Sequence, residues 1–199
     1  MTFAFFKIGY FLKKLMKDHT NNPISGRTRG FTLIEVLIVV AIIGILAALL
    51  IPNAITAIQK SKQKSVMKDI VSLATAATDF ISDNAEWQIN QSGDIVQGSA
   101  FVQALSPLYI KICPINDYWG EPYKAYVGVD VAIRSIDPAD VGPDDFLFES
   151  YGRDSISDGW TYDPLTPNDD YYVVDSHQVF KNDLINWNGY WLRSPRVAQ

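Results

Sequence analysis

The 199 residues, 48% hydrophobic and 20% charged with a net charge of −5, suffice for one modest domain of roughly 100–150 residues and something extra. Lys7, Lys13, Lys14, Lys17, Arg27 and Arg29 against Asp18 make residues 1–30 net +5 and leave −10 for the rest. That acidic remainder argues against a nucleic-acid partner, whose binding needs a Lys/Arg face to displace counterions.

The chain opens on "MTFAFFKIGYFLKKLMK", an amphipathic stretch, with Met16 as a second candidate start. Next comes "RTRGFTLIEVLIVVAIIGILAALLIP". From Val36 to Ile51 every residue is apolar or Gly, and Phe31 to Pro52 is 22 residues long, against about 20 needed to cross a bilayer core. Three readings fit a basic segment followed by an apolar one. It is a secretory signal cut near the small residues Ala54 and Ala57, a plain single-pass anchor, or a helix retained after cleavage just before it. The flanking charges do not orient an anchor, because Lys60, Lys62, Lys64 and Lys68 balance the cations on the other side.

Glu35 separates these readings. A carboxylate in a membrane segment costs about 2.5–3.5 kcal/mol at the centre and less near the interface, and it marks a partner or a function. No Lys or Arg lies between Phe31 and Gln59, so within one molecule its only cationic partner would be a new N-terminal amine, created by a cut beside the small residue Gly30. Pro52, lacking an amide hydrogen, kinks or opens a helix. With Gly44 it offers the segment places to deform, or else it ends the membrane span.

From Asn53 to about Glu86 no Gly or Pro intervenes. Apolar residues at Ile55, Ile58, Val66, Ile70, Leu73, Ala77 and Phe80 or Ile81 follow helical spacing. The four lysines between 60 and 68 read as a solvated face or as contacts to headgroups and acidic neighbours. Ser92-Gly93 and Gly98-Ser99 mark a loop. Trp119-Gly120 and Pro122 mark a turn with an aromatic anchor, and Tyr123 to Ile133 is apolar and β-rich enough for a strand. "DFLFESYGRDS" predicts a strand over Phe146 to Ser150 and a turn at Gly152. A closing hairpin is expected around Asp175 to Gln178. Cys113 is the one cysteine, so no intrachain disulfide forms, and the thiol reads as a small core hydrophobe. His19 in the leader and His177 in a solvent-facing turn form no nucleophile constellation, zinc spacing or phosphate loop; the enzyme alternative is a tethered hydrolase built on Asp residues.

The segment Arg29 to Pro52 resembles the class III signal and N-terminal helix of the type IV pilin and type II secretion pseudopilin superfamily. The segment containing Leu108, Pro114, Asp117, Trp119, Gly120, Pro122, Tyr123 and Tyr126 resembles the major pseudopilins, the protein G family. The resemblance implies an α+β fold, a long N-terminal helix packed on a small antiparallel sheet. It divides the chain into a leader (1–30), a membrane and filament-core helix (31–52), its amphipathic continuation (53–86) and a β domain (87–199).

By the same resemblance a prepilin peptidase cuts between Gly30 and Phe31 and methylates the Phe31 amine, which Glu35 of a neighbouring subunit then neutralises. Calcium, bound by Asp154 and one or both of Asp169 and Asp170 with the Tyr151 carbonyl helping, would staple the late loop; Asp158 and Asp163 are substitute ligands. The implied protein is a non-enzymatic, single-pass inner-membrane subunit with its globular part in the periplasm. It would assemble with its own copies and minor pseudopilins on an inner-membrane platform into a filament that drives export. The alternative is a type IV pilin for adhesion, motility or DNA uptake.

Overall fold

The computed structural model describes residues 30–134, 136–166 and 170–196. The chain forms two compact units, one ending at Ala48 and the other beginning at Leu49. Helix α1, Leu33–Asn84, runs through Pro52 without a break, so the proline does not end the helix. In the first unit the large apolar side chains of α1 from Val36 onward are at least half exposed.

In the second unit α1 becomes one-sided. Gln63, Val66, Ile70, Leu73, Ala74, Ala77 and Phe80 are buried, the three-and-four spacing that puts side chains on one face of a helix. That face packs on strands β1 (Ser92–Asp94), β2 (Lys124–Val127), β3 (Phe146–Ser150), β4 (Tyr171–Val173), β5 (Leu184–Trp187) and β6 (Tyr190–Arg196), with a short helix α2, Ala100–Leu105, alongside. The sheet order is β1-β2-β3-β5-β6-β4. Ala125, Phe148 and Leu184 meet Leu73, Ala77 and Phe101 on one side of the sheet. The alternating residues Tyr126, Leu147 and Ile185 point to a second cluster with Val131, Ile136 and Trp160. Both sheet faces are therefore covered, which is why all five residues of β3 are buried, the polar Glu149 and Ser150 included.

The expected sheet was antiparallel, and the observed one is mixed. β1, β2, β3, β5 and β6 pair antiparallel, but β4 lies parallel to β6 through Tyr171–Ser194 and Val173–Arg196. A side-chain pattern of period two does not encode strand direction. The strand expected from Tyr123 to Ile133 stops at Val127, because Gly128 adopts a positive φ of 60° and the chain turns into a 3-10 helix, Gly128–Arg134. The hairpin expected around Asp175 to Gln178 is a 3-10 helix, His177–Lys181. The real hairpin joins β5 to β6 at Asn188-Gly189, both with positive φ. The predicted loop around Ser92-Gly93 contains β1. Cys113 lies in the core with 6% exposure, and burial pushes its thiol up to about 11, as a small hydrophobe rather than a nucleophile.

Candidate functional site: the helix start and the late loop

Gly30 is exposed with open space around it, and Phe31 is 83% exposed. Glu35 is tied to its own helix start. Its Oε2 accepts from the Thr32 amide and hydroxyl, both at 2.9 Å, while the Glu35 amide donates to Thr32 Oγ1 at 3.3 Å. This reciprocal pair is a capping box, which satisfies amides that have no partner inside the helix. Thr32 is the residue that sequence reasoning missed, although Thr-x-x-Glu before an apolar run is its signature. The carboxylate thus has a partner within its own helix start. Beyond Pro52, Thr56 Oγ1 donates back to the Pro52 carbonyl at 3.0 Å.

The segment around Trp119 is an organised turn. Asp117, 7% exposed, accepts from the amides of Trp119, Gly120 and Glu121 at 2.9–3.0 Å through Oδ1. Its Oδ2 accepts from the Ser150 hydroxyl at 2.8 Å, fixing the turn to β3. Two side chains then fasten it to α1: Trp119 Nε1 donates to Gln59 at 2.8 Å and the Tyr123 hydroxyl to Asp69 at 3.1 Å. His177 is half-buried and shares a hydrogen bond with Thr56 at 2.9 Å, so it clips the 3-10 helix to α1 instead of facing solvent.

The residues expected to bind calcium lie on separate parts of the late loop. Tyr151 precedes the 3-10 turn Gly152–Asp154, Asp170 stands just before β4, and Asp169 lies outside the described residues. Asp154 Oδ2 is 4.0 Å from the Lys181 ammonium. Asp163 is used locally, accepting from the Leu165 amide and Thr166 hydroxyl. Among the described residues no three His, Cys, Asp or Glu side chains converge on a cation position.

What holds this loop is a network of ion pairs and exchanged amides. Asp158 Oδ2 accepts from Arg193 and from the Asp183 amide at 2.8 and 3.0 Å, while the Asp158 amide donates to Asp183 at 2.9 Å. The fully buried Glu149 pairs with Arg134, which also reaches Ser157. Burial pushes the Glu149 carboxyl above the ordinary carboxylate range against the pull of Arg134. Burial likewise pushes Asp183 up to about 7, helped by Glu149 and Asp158. The segment from Ser155 to Thr166, pinned in this way, lays Trp160 and Tyr162 over the outer sheet face.

The prokaryotic N-terminal methylation motif matches residues 26–51. The chain is 36% identical over 104 residues to the type II secretion system core protein G of Aeromonas hydrophila, covering 49% of this chain and 72% of that one. It is 39% identical over 103 residues to the core protein G of Vibrio cholerae, covering 48% and 68%. A shorter stretch of 57 residues is 54% identical to the type IV major pilin protein PilA of Myxococcus xanthus, covering 29% and 26%. No solved structure matches the chain significantly. A methylation motif spanning Gly30, Phe31 and Glu35, followed by similarity across most of the core protein G length, carries the assignment: the chain belongs to the type II secretion system core protein G family, the pseudopilins, whose role is structural.

Proposed function

We propose that the chain is a subunit of a periplasmic pseudopilus, held in the inner membrane by the first half of α1 until it is drawn into the filament. One observation carries the reading. The match to the methylation motif ends at residue 51, and within it α1 presents a stretch of mean hydropathy 3.1. Such a helix finds cover in lipid or against identical helices of other copies, and a filament core supplies the second. Prepilin peptidase would cut between Gly30 and Phe31. In the membrane the Glu35 carboxylate stays within its capping box, and on assembly the methylated Phe31 amine of a neighbouring copy adds a charge-assisted bond. An unpaired amine or carboxylate in apolar surroundings is costly, so the pair sets subunit register. The action is mechanical: an ATPase-driven inner-membrane platform adds copies beneath minor pseudopilins, and the growing filament pushes cargo toward an outer-membrane pore.

Intact mass of the protein from its host membranes, with and without the peptidase, tests the reading. The expected species begins at N-methylated Phe31 and appears only when the peptidase is present. A species cut near Ala57, or one left uncut in peptidase-positive cells, overturns it.

A further inference from the structure

A groove of about 440 Å³ opens between α1 and the β4–β6 edge of the sheet. Its floor is apolar, formed by Met67, Val173 and Pro195, and its rim carries Lys60, Lys64 and Arg196, all three exposed. Toward the other end of α1 lies a surface of opposite character. There, between Asp137 and Asp144, the sequence "DPADVGPD" presents exposed Asp137, Asp140 and Asp144 among Pro, Ala and Val.

This acidic loop is held in shape. Asp137 caps the 3-10 turn Pro138–Asp140 by accepting from the Ala139 amide at 2.9 Å. The buried Asp145 accepts from the Gly142 amide at 3.0 Å and from Asn188 at 2.6 Å. It therefore projects as a preformed knob whose apolar ridge and three carboxylates complement the groove's apolar floor and three cations.

The two surfaces cannot meet within one copy. The groove lies beside residues 60–67 of α1, whereas the knob sits at the far end of that helix, with Asp144 beside Thr78 and Ser82 and the Trp87 amide donating to the Pro143 carbonyl at 3.5 Å. From Lys64 to Ser82 the helix rises about 27 Å at ~1.5 Å per residue. A contact between different patches at opposite ends of a subunit is heterologous, and when its rotation does not close a ring it generates an open helical array.

We propose that the Lys60/Lys64/Arg196 groove receives the Asp137–Asp144 knob of another copy, so that this pair of surfaces stacks the globular domains along the filament. The inference rests on the filament reading above. Charge complementarity decides for this occupant over a lipid headgroup, because the knob supplies both an apolar ridge and three anions at fixed positions. Opposed patches of this kind set which partner docks and in what register.

The test reverses each side in the full-length chain, expressed with its peptidase and assembly platform, and measures sheared filaments by immunoblot and electron microscopy. N-methylated Phe31 and unchanged circular dichroism serve as folding and processing controls. Lys60→Glu with Lys64→Glu lowers filament yield by about tenfold or more, and so does Asp140→Lys with Asp144→Lys, which leaves the Asp137 cap in place, since each replaces attraction by like-charge repulsion. The quadruple variant, with complementarity restored in the opposite sense, recovers most of the yield. Absence of filaments from the unaltered chain refutes the filament reading itself. If the unaltered chain assembles but the knob variant assembles equally well, or if the quadruple variant fails to recover, the docking inference is overturned. Failure to recover together with lost binding of the lysine variant to phosphatidylglycerol vesicles assigns the groove to lipid instead.

Discussion

Replacing Gly152 by alanine probes the packing of the late loop most directly. Gly152 has a φ of +66°. A Cβ there would stand 2.7 Å from the Lys181 carbonyl oxygen, 2.8 Å from that of Asn182 and 2.9 Å from the Lys181 carbonyl carbon. The left-handed conformation costs a non-glycine residue roughly 1–2 kcal/mol. The obstructing atoms are backbone, so relief requires moving the 3-10 helix His177–Lys181 away from the turn, an overpacking cost of about 1–3 kcal/mol. The sum is about 2–5 kcal/mol, or a fall of roughly 4–20 °C in melting temperature for a domain of this size. Gly159→Ala is the internal control. Its φ of +65° is the same, but nothing lies within 4 Å of the added Cβ, so only the conformational part applies, about 1–2 kcal/mol. Thermal melts of the detergent-solubilised chain by near-ultraviolet circular dichroism compare the two. Equal shifts refute the close-approach argument, since they would mean that the loop yields freely and only φ matters.

Two further outcomes follow from the buried network. Asp183 titrates near 7 in the fold against 3.8 ordinarily, chiefly through burial, with Glu149 and Asp158 reinforcing the rise and Arg193 and the Asp158 amide opposing it. A carboxyl raised in the folded state binds its proton more tightly there. Its contribution is therefore complete below pH about 4 and is lost as pH rises through about 7. Melting temperature accordingly increases by a few degrees from pH 8 to pH 6, and Asp183→Asn removes most of that slope; a slope of opposite sign, or one unchanged in the variant, contradicts the assignment. Calcium is the second case. With Lys181 beside Asp154 and arginines holding the loop, melting in 1 mM calcium and in excess chelator should agree within about 1 °C, whereas occupancy at a hundredfold excess over Kd would add ~2.7 kcal/mol. A calcium-dependent rise assigns Asp154, Asp169 and Asp170 as ligands.

The local codes were legible without a structure. Helical spacing predicted Val66, Ile70, Leu73, Ala77 and Phe80 in the buried stripe, although Ile55 and Ile58, expected in the same stripe, are exposed, and "FLFES" bounded by turn residues predicted β3. Gly30, Phe31 and Glu35 stood out because a charge at the edge of an apolar run demands a partner. Thr32 was equally legible in its Thr-x-x-Glu pattern, yet a search for a distant cation passed over a neighbour three residues away.

Only the tertiary structure decided the rest, and the reason is the same at each place. β4 runs parallel to β6 because the long segment from Ser155 to Thr166 first crosses the outer sheet face, where Trp160 is buried and Tyr162 partly so. Asp158 meets Arg193 thirty-five residues away, and Gly152 is required by carbonyls near residue 181. The groove joins residues 60–67 to 173–196. By itself the sequence determined the membrane-length helix, its processing motif and the helical core stripe, since these depend on period, composition and near neighbours. Strand direction, ion-pair partners and the complementary surfaces depend on which distant segments the fold brings side by side, and no local periodicity carries that information.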